Sequence, residues 1–153
     1  MRWIVAVLLS LPLMAYSLAA SAHGYKRNTL EVIHPYTFEK PEPGGRDAIV
    51  GMTLRNSGKQ IERLVGATSS IAERVEIVLP RPDATSSGTA KSPPRIEIRP
   101  GTETELKASS VYVRLIGLKK ALTAYDTLPV TLTFERAGRL KIDVMVEEIL
   151  EPK

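Results

Sequence analysis

The sequence predicts an all-β fold, a single antiparallel sandwich or barrel, and three observations lead to this prediction. Apolar residues alternate with polar ones over short segments, which places every second side chain on one face of a strand. Turn-forming residues separate most of these segments, as in Asn56-Ser57-Gly58 and Pro100-Gly101. After residue 22, the only helical candidate is a turn near residues 71–73. The combination of short strands and turns is typical of sandwiches and barrels.

Nine strands are predicted in chain order. The first seven have apolar residues mostly at alternate positions and lie at residues 30–33, 47–55, 62–68, 74–79, 95–98, 103–107 and 111–116. The last two, 129–135 and 140–147, have the most regular alternation, and residues 135–139 between them predict a tight hairpin. Residues 80–94 are rich in Pro, Ser and Thr, so a surface loop is expected there.

The first 22 residues have the pattern of a secretory signal peptide. Arg2 gives a positive start, an apolar run follows to Leu18, and Ala20-Ser21-Ala22 is a small-x-small cleavage site. An uncleaved membrane anchor is the alternative, but the run is short for a bilayer span of about 20 residues. We therefore expect a mature, soluble, single domain of residues 23–153 that begins at His23.

Composition excludes several classes of function. The chain contains no cysteine and only two histidines, His23 and His34, so disulfides, thiolate metal sites and multi-histidine zinc centres are excluded. The net charge of +4 is spread along the chain and gives no support for nucleic-acid binding. Neither a glycine-rich phosphate loop nor a nucleophile elbow is present in the sequence, which argues against an enzyme.

Three motifs carry a resemblance to a known family, within a similarity that spans most of residues 23–150. They are Arg63-Leu64-Val65-Gly66-Ala67, Ala72-Glu73-Arg74-Val75-Glu76 and Ile116-Gly117-Leu118-Lys119. With them, the chain closely resembles the periplasmic PCu(A)C copper chaperones. The resemblance implies a cupredoxin-like, Greek-key β-sandwich that binds Cu(I). It also implies a periplasmic location and copper delivery to cytochrome c oxidase or to a copper assembly factor.

The copper ligands of that family are replaced in this sequence. The resemblance places the first His at Val78, its companion Met at Pro80, and a His-x-Met pair at Tyr112 and Arg114. A further Met is expected within residues 80–94, which contain neither Met nor His. A phenol and a guanidinium do not replace imidazole and thioether as Cu(I) ligands.

One hypothesis is a relocated copper site. After cleavage, His23 would offer an α-amino group and an imidazole, a chelating pair suited to Cu(II). His34 is a candidate third ligand if the N-terminal segment folds back. Each has an ordinary alternative: a terminal residue with incidental metal affinity for His23, and a strand-end residue hydrogen-bonded to the backbone for His34.

The methionines add little to such a site. Met52 is in phase with the apolar residues of its strand, which predicts a core position. Met145 is out of phase and is expected on the polar face of its strand. A competing hypothesis is a metal-free interaction module in the cell envelope, in which Tyr112 and Arg114 project together from the former metal face.

Overall fold

The structure is a computed structural model that describes residues 24–39, 47–79 and 94–149. Ten strands form it, and the described residues include no helix. The predicted signal peptide, His23, Pro80 and nearly all of the predicted 80–94 loop lie outside the described residues. In chain order the strands are β1 (Gly24–Arg27), β2 (Leu30–Phe38), β3 (Ala48–Asn56), β4 (Glu62–Thr68), β5 (Ala72–Val78), β6 (Ile96–Ile98), β7 (Thr102–Leu106), β8 (Tyr112–Leu118), β9 (Thr127–Phe134) and β10 (Gly138–Glu147).

The strands are hydrogen-bonded in the order β5-β8-β3-β2-β10-β9-β4-β6, with β1 added to β2 and β7 added to β3. Strand β3 joins the two layers, because its first residues pair with β8 and its later residues pair with β7. All pairings are antiparallel except that of β2 with β10, which is parallel. The predicted all-β sandwich is therefore confirmed for the part of the chain that the structure describes.

The core lies between the layers and is built from the alternating apolar residues of the strands. Leu54, Leu64 and Leu132 are fully buried, and burial of each such side chain contributes about 1.5–3 kcal/mol. Met52 is 1% exposed, so its predicted core position is confirmed. Met145 is half-buried rather than fully exposed on the outer face of β10.

The observed strands differ from the predicted ones at three places. Strand β1 was not predicted, because its four residues lack apolar alternation. Strand β2 continues to Phe38, where the prediction ended at residue 33, because a bulge between Ile33 and Tyr36 changes the phase of its buried residues. The helical turn near residues 71–73 was wrong, since β5 begins at Ala72 and pairs with Leu118 of β8.

The sandwich has two ends that matter for the site, a hairpin end and a histidine end. The hairpin end contains the connections at residues 28–29, 57–61 and 135–137. The histidine end contains the second half of β2, the start of β8 and the end of β10. No helix in the described ranges is long and apolar enough to cross a membrane.

Candidate metal centre

His34 lies at the bulge of β2 and has an unusual backbone conformation. Its φ of 47° is in the left-handed region, which few non-glycine residues adopt and which often occurs at functional sites. The bulge turns the imidazole outward, and 68% of its side chain is exposed. His34 therefore lies in the middle of β2 and has an accessible ring, whereas the sequence suggested a residue at the strand end.

The imidazole of His34 is oriented by two neighbours. Its Nε2 lies 2.9 Å from Oε1 of Glu147, and its ring centroid is 5.5 Å from that of Tyr36. A ring nitrogen that donates to a carboxylate carries the proton, so Nδ1 is the nitrogen that remains for a metal. The ring contact that the structure shows for His34 is thus with a carboxylate of a neighbouring strand.

The N-terminal strand runs alongside His34. Strand β1 is antiparallel to β2, and Gly24 is the register partner of Ile33, the residue directly before His34. The hydroxyl of Tyr25 also donates to the carbonyl of Asp143 in β10, at 3.2 Å. The relocated-site hypothesis required the N-terminal segment to fold back, and residues from Gly24 onward do so. His23 itself lies outside the described residues.

The positions of the family's ligands converge on a different face. Val78 of β5 and Tyr112 of β8 are register partners, and Arg114 lies two residues along β8 on the same face. Val113, which lies between these two residues, and Leu115, which follows Arg114, are fully buried. Because side chains alternate along a strand, Tyr112 and Arg114 therefore point outward together. The joint projection of these two side chains, expected from the sequence, is confirmed.

Arg114 is held in place by an acidic residue. Its guanidinium donates to the carboxylate of Asp47, and Glu76 is its register partner in β5. A cation therefore occupies the position where the resemblance implies a thioether ligand. No group of three His, Cys, Asp or Glu side chains arranged to hold a metal occurs in the described parts of the chain.

A surface groove of about 390 Å³ lies beside Tyr112 and Arg114 and extends to Tyr36. Tyr36 stacks against His34 and also lines this groove. Its ring packs directly on Gly51, where a Cβ would be 2.5 Å from a ring carbon, so any larger residue there would displace the Tyr36 ring. The groove's other lining residues are Thr37, Phe38, Asp47, Ile49, Lys107, Ala108, Tyr112 and Arg114.

Sequence reasoning did not find Glu147, Tyr36 or Asp47. Glu147 is out of phase with the apolar residues of β10 and so is marked as outward-facing, but its contact with His34 depends on the parallel β2–β10 pairing. Tyr36 was not considered because the predicted strand at residues 30–33 ended before it. The contact between Asp47 and Arg114 joins residues 67 positions apart, which no local pattern indicates.

Comparison with known proteins gives the family. The family described as "Putative lipoprotein LpqE-like" matches residues 30–146, most of the chain. The chain belongs to the LpqE-like, PCuAC-type family. Among curated proteins, none matches this LpqE-like chain.

Solved structures similar to this LpqE-like domain include three from PCuAC proteins. The apo PCuAC domain from PmoF1 is 26% identical, with a TM-score of 0.69, and the match covers 83% of this chain and 100% of that domain. The copper-bound PCuAC domain from PmoF2 is 24% identical, with a TM-score of 0.68 and coverage of 83% and 99%. Cu(I)-bound DR1885 from Deinococcus radiodurans is 23% identical, with a TM-score of 0.58 and coverage of 86% and 85%.

These similarities confirm the predicted fold. The LpqE-like chain has the fold of the PCuAC domains, the cupredoxin-like sandwich that was predicted. Two of these structural neighbours, the PCuAC domain from PmoF2 and DR1885, contain bound copper.

Proposed function

We propose that the mature protein is a periplasmic copper-binding protein of the chaperone type, with Cu(II) held at its amino terminus by His23 and His34. The observation that supports this proposal is the pairing of β1 with β2, which brings Gly24 opposite Ile33, beside the exposed His34. The family's own ligand positions are occupied by Val78, Tyr112 and Arg114, so they do not supply the site.

The proposed donor set is rich in nitrogen. Cleavage after Ala22 creates a free α-amino group on His23, next to its own imidazole. With the Nδ1 atom of His34, this gives three nitrogen donors, and nitrogen ligands in a tetragonal arrangement favour Cu(II) over Cu(I). Glu147 fixes the ring orientation of His34, the role that carboxylates commonly have behind metal-ligating histidines.

The proposal makes copper binding depend on export. The α-amino ligand exists only after the signal peptide is removed, so the unprocessed chain would lack it. A soluble domain of this kind fits a carrier that delivers copper to a cytochrome oxidase subunit or to a copper assembly factor. Exposure of His34 leaves space for a partner's ligand to approach the metal.

The test is a Cu(II) titration of protein that begins at His23, with electron paramagnetic resonance to detect nitrogen hyperfine coupling. We expect one Cu(II) per chain and nitrogen coupling. A version with an acetylated N-terminus should bind at least about tenfold more weakly, because acetylation removes the α-amino group as a ligand. Protein with a free N-terminus is the control. Equal affinity in the two N-terminal versions would contradict the terminal site.

The groove beside Tyr36 supports a second candidate, a metal-free interaction module. Tyr112 and Arg114 project together there, and Tyr and Arg are enriched in the centres of protein interfaces. This candidate predicts no stoichiometric copper under oxidising or reducing conditions. It also predicts that Tyr112→Ala or Arg114→Ala weakens capture of an envelope partner without lowering the melting temperature. The copper titration separates the two candidates directly.

A further inference from the structure

A second pocket, of about 380 Å³, lies at the hairpin end. It forms where the β1–β2, β3–β4 and β9–β10 connections meet, at the opposite end of β2 and β10 from Phe38 and Glu147. Three cationic side chains line it: Arg27, Lys59 and Arg136. Neither proposed function uses this pocket, and its chemistry is independent of copper.

The three cations have no acidic partner among the described residues, in contrast to four arginines elsewhere in the sandwich. Arg55, Arg63, Arg74 and Arg114 each form an ion pair with an acidic side chain. Arg27, Lys59 and Arg136 form no ion pair with any residue of the described ranges. All three are exposed, and none is neutralised by a close ion pair within the described residues.

A single acidic residue lines the pocket, and its carboxylate is already occupied. Glu62 is 6% exposed. Its Oε1 accepts hydrogen bonds from the backbone N–H groups of Arg63 and Arg136, at 2.9 and 3.0 Å, and its Oε2 accepts one from Ala137, at 2.8 Å. The β9–β10 turn therefore points N–H donors at a negative group, the arrangement that makes anion-binding concavities. The hairpin end therefore already binds one anionic group, the carboxylate of Glu62.

The pocket wall is also fixed in shape. The side-chain amide of Asn56 donates to the carbonyls of Gln60 and Ile98, and its oxygen accepts from the N–H of Gly58. A Cβ at Gly58 would lie 2.7 Å from Oγ1 of Thr29, so the two connections pack as closely as glycine permits. A wall held in this way does not lose conformational entropy when a ligand binds.

We propose that this pocket binds the phosphate group of an anionic ligand. The planar guanidinium groups of Arg27 and Arg136 match phosphate oxygens in a bidentate manner, and Lys59 adds a compact third charge. The phosphate belongs either to a small soluble ester or to the headgroup of an anionic phospholipid. Both sources present the same chemistry to the pocket, and the experiment distinguishes them.

The experiment uses the mature protein in two arms. In the first, glycerol 3-phosphate is titrated into the protein by calorimetry at low ionic strength. In the second, the protein is sedimented with vesicles of phosphatidylglycerol or, as the neutral reference, phosphatidylcholine. Saturable binding of glycerol 3-phosphate supports a soluble ester. Binding to phosphatidylglycerol vesicles alone supports a lipid headgroup.

The pocket is tested by paired charge-removal variants. R27Q/R136Q should weaken whichever binding is observed by at least about tenfold, because each guanidinium donates to a charged oxygen. K120Q/K141Q removes the same charge from exposed positions that do not line the pocket and should stay within about twofold. If R27Q/R136Q does not fold, Lys59→Gln replaces it in the test, because this single substitution also removes a positive charge from the pocket.

Two outcomes would overturn the proposal. One is the absence of binding in both arms. The other is an equal loss in R27Q/R136Q and K120Q/K141Q, which would mean that general charge attracts the ligand and not this pocket.

Discussion

The two ends of the sandwich use polar side chains in opposite ways. At the hairpin end, Asn56 and Glu62 are buried and form hydrogen bonds with backbone groups of neighbouring connections. At the histidine end, His34 is exposed on a left-handed backbone, and its partners are side chains. Satisfied buried polar groups rigidify a structure, whereas strained, exposed groups are typical of binding sites. The comparison shows that the hairpin end contains a rigid network of buried polar groups, whereas the histidine end presents an exposed and accessible side chain.

The β5–β8 pairing beside the histidine end is present without the metal ligands that the family resemblance implies. Val78 and Tyr112 remain register partners although neither is a metal ligand. Valine and tyrosine both favour strands, so their presence keeps the β5–β8 pairing while it removes the imidazoles. Ligand identity on an outer face is therefore separable from the inward-facing residues that hold the layers together.

The largest expected effect is the return of a Cu(I) site on the β5–β8 face. In V78H/Y112H/R114M, two imidazoles and a thioether would replace the present residues on neighbouring strands. We expect Cu(I) binding at one per chain, measured by competition with a chromogenic chelator, whereas unchanged protein should have none at this face. Asp47 would lose its partner but is partly exposed, so folding should persist. No gain of Cu(I) binding would mean that the face has lost more than its ligands.

The next effect concerns the orientation of His34. Glu147→Gln keeps the size of the side chain but removes the charge that faces Nε2. The Cu(II) affinity of the mature protein should fall by about 10–100-fold, the usual effect of losing a supporting carboxylate. Glu148→Gln is the matched control, since that carboxylate accepts from Tyr125 instead. If both variants bind equally well, Glu147 does not support the metal site.

At the hairpin end, a single substitution should change stability and not copper binding. Glu62→Gln replaces an oxygen that accepts from a backbone N–H with an amide that does not accept. The free energy of unfolding, measured in urea, should fall by about 2–3 kcal/mol, because the lost bond involves a buried charged group. Glu105→Gln, at an exposed position, should change it by less than about 0.5 kcal/mol. A fall in Cu(II) affinity in Glu62→Gln would contradict the separation of the two ends.

The smallest effect is the pH dependence of an ion pair near the hairpin end. Arg63 donates to Glu135 at 2.7 Å, and this hydrogen bond holds the pKa of Glu135 below its ordinary value of 4.5. A lowered folded-state pKa means that the pair stabilises the fold above about pH 4.5 and that this contribution is lost as the pH falls through the folded pKa.

Acid unfolding of Glu135→Gln tests this pair. The stability difference from the unchanged protein should shrink as the pH falls below 4.5 and should also shrink in 1 M salt, because the pair is exposed. A difference that stays constant with pH would show that the substitution acts through something other than charge.

The sequence predicted most of the strands in which buried residues recur at alternate positions. Strand β10 alternates over its length, and its buried residues Ile142, Val144 and Val146 are those that the pattern assigned to the core. Strand β1 was missed because no core residue marks it, and it is defined by hydrogen bonds to β2. The second half of β2 was missed because a bulge is invisible to a strict period of two.

The candidate site was only partly predictable, for a related reason. His34 was identified by residue type, and the family's positions at Val78, Tyr112 and Arg114 do converge on one face. Glu147 and Asp47 contact His34 and Arg114, which are distant from them in the sequence. Only the folded arrangement of the strands brings each pair together. Local periodicity contains no information about which distant strand becomes a neighbour.

The parallel pairing of β2 with β10 has a consequence for how the protein is made. Residues 36–38 obtain their second neighbour only from residues 145–147, near the end of synthesis. Contacts of such long sequence separation form slowly, because a large loop must close before they are made. The β2–β10 contact, which joins the first half of the sheet to its last strands, therefore forms only after almost all of the chain has been synthesised.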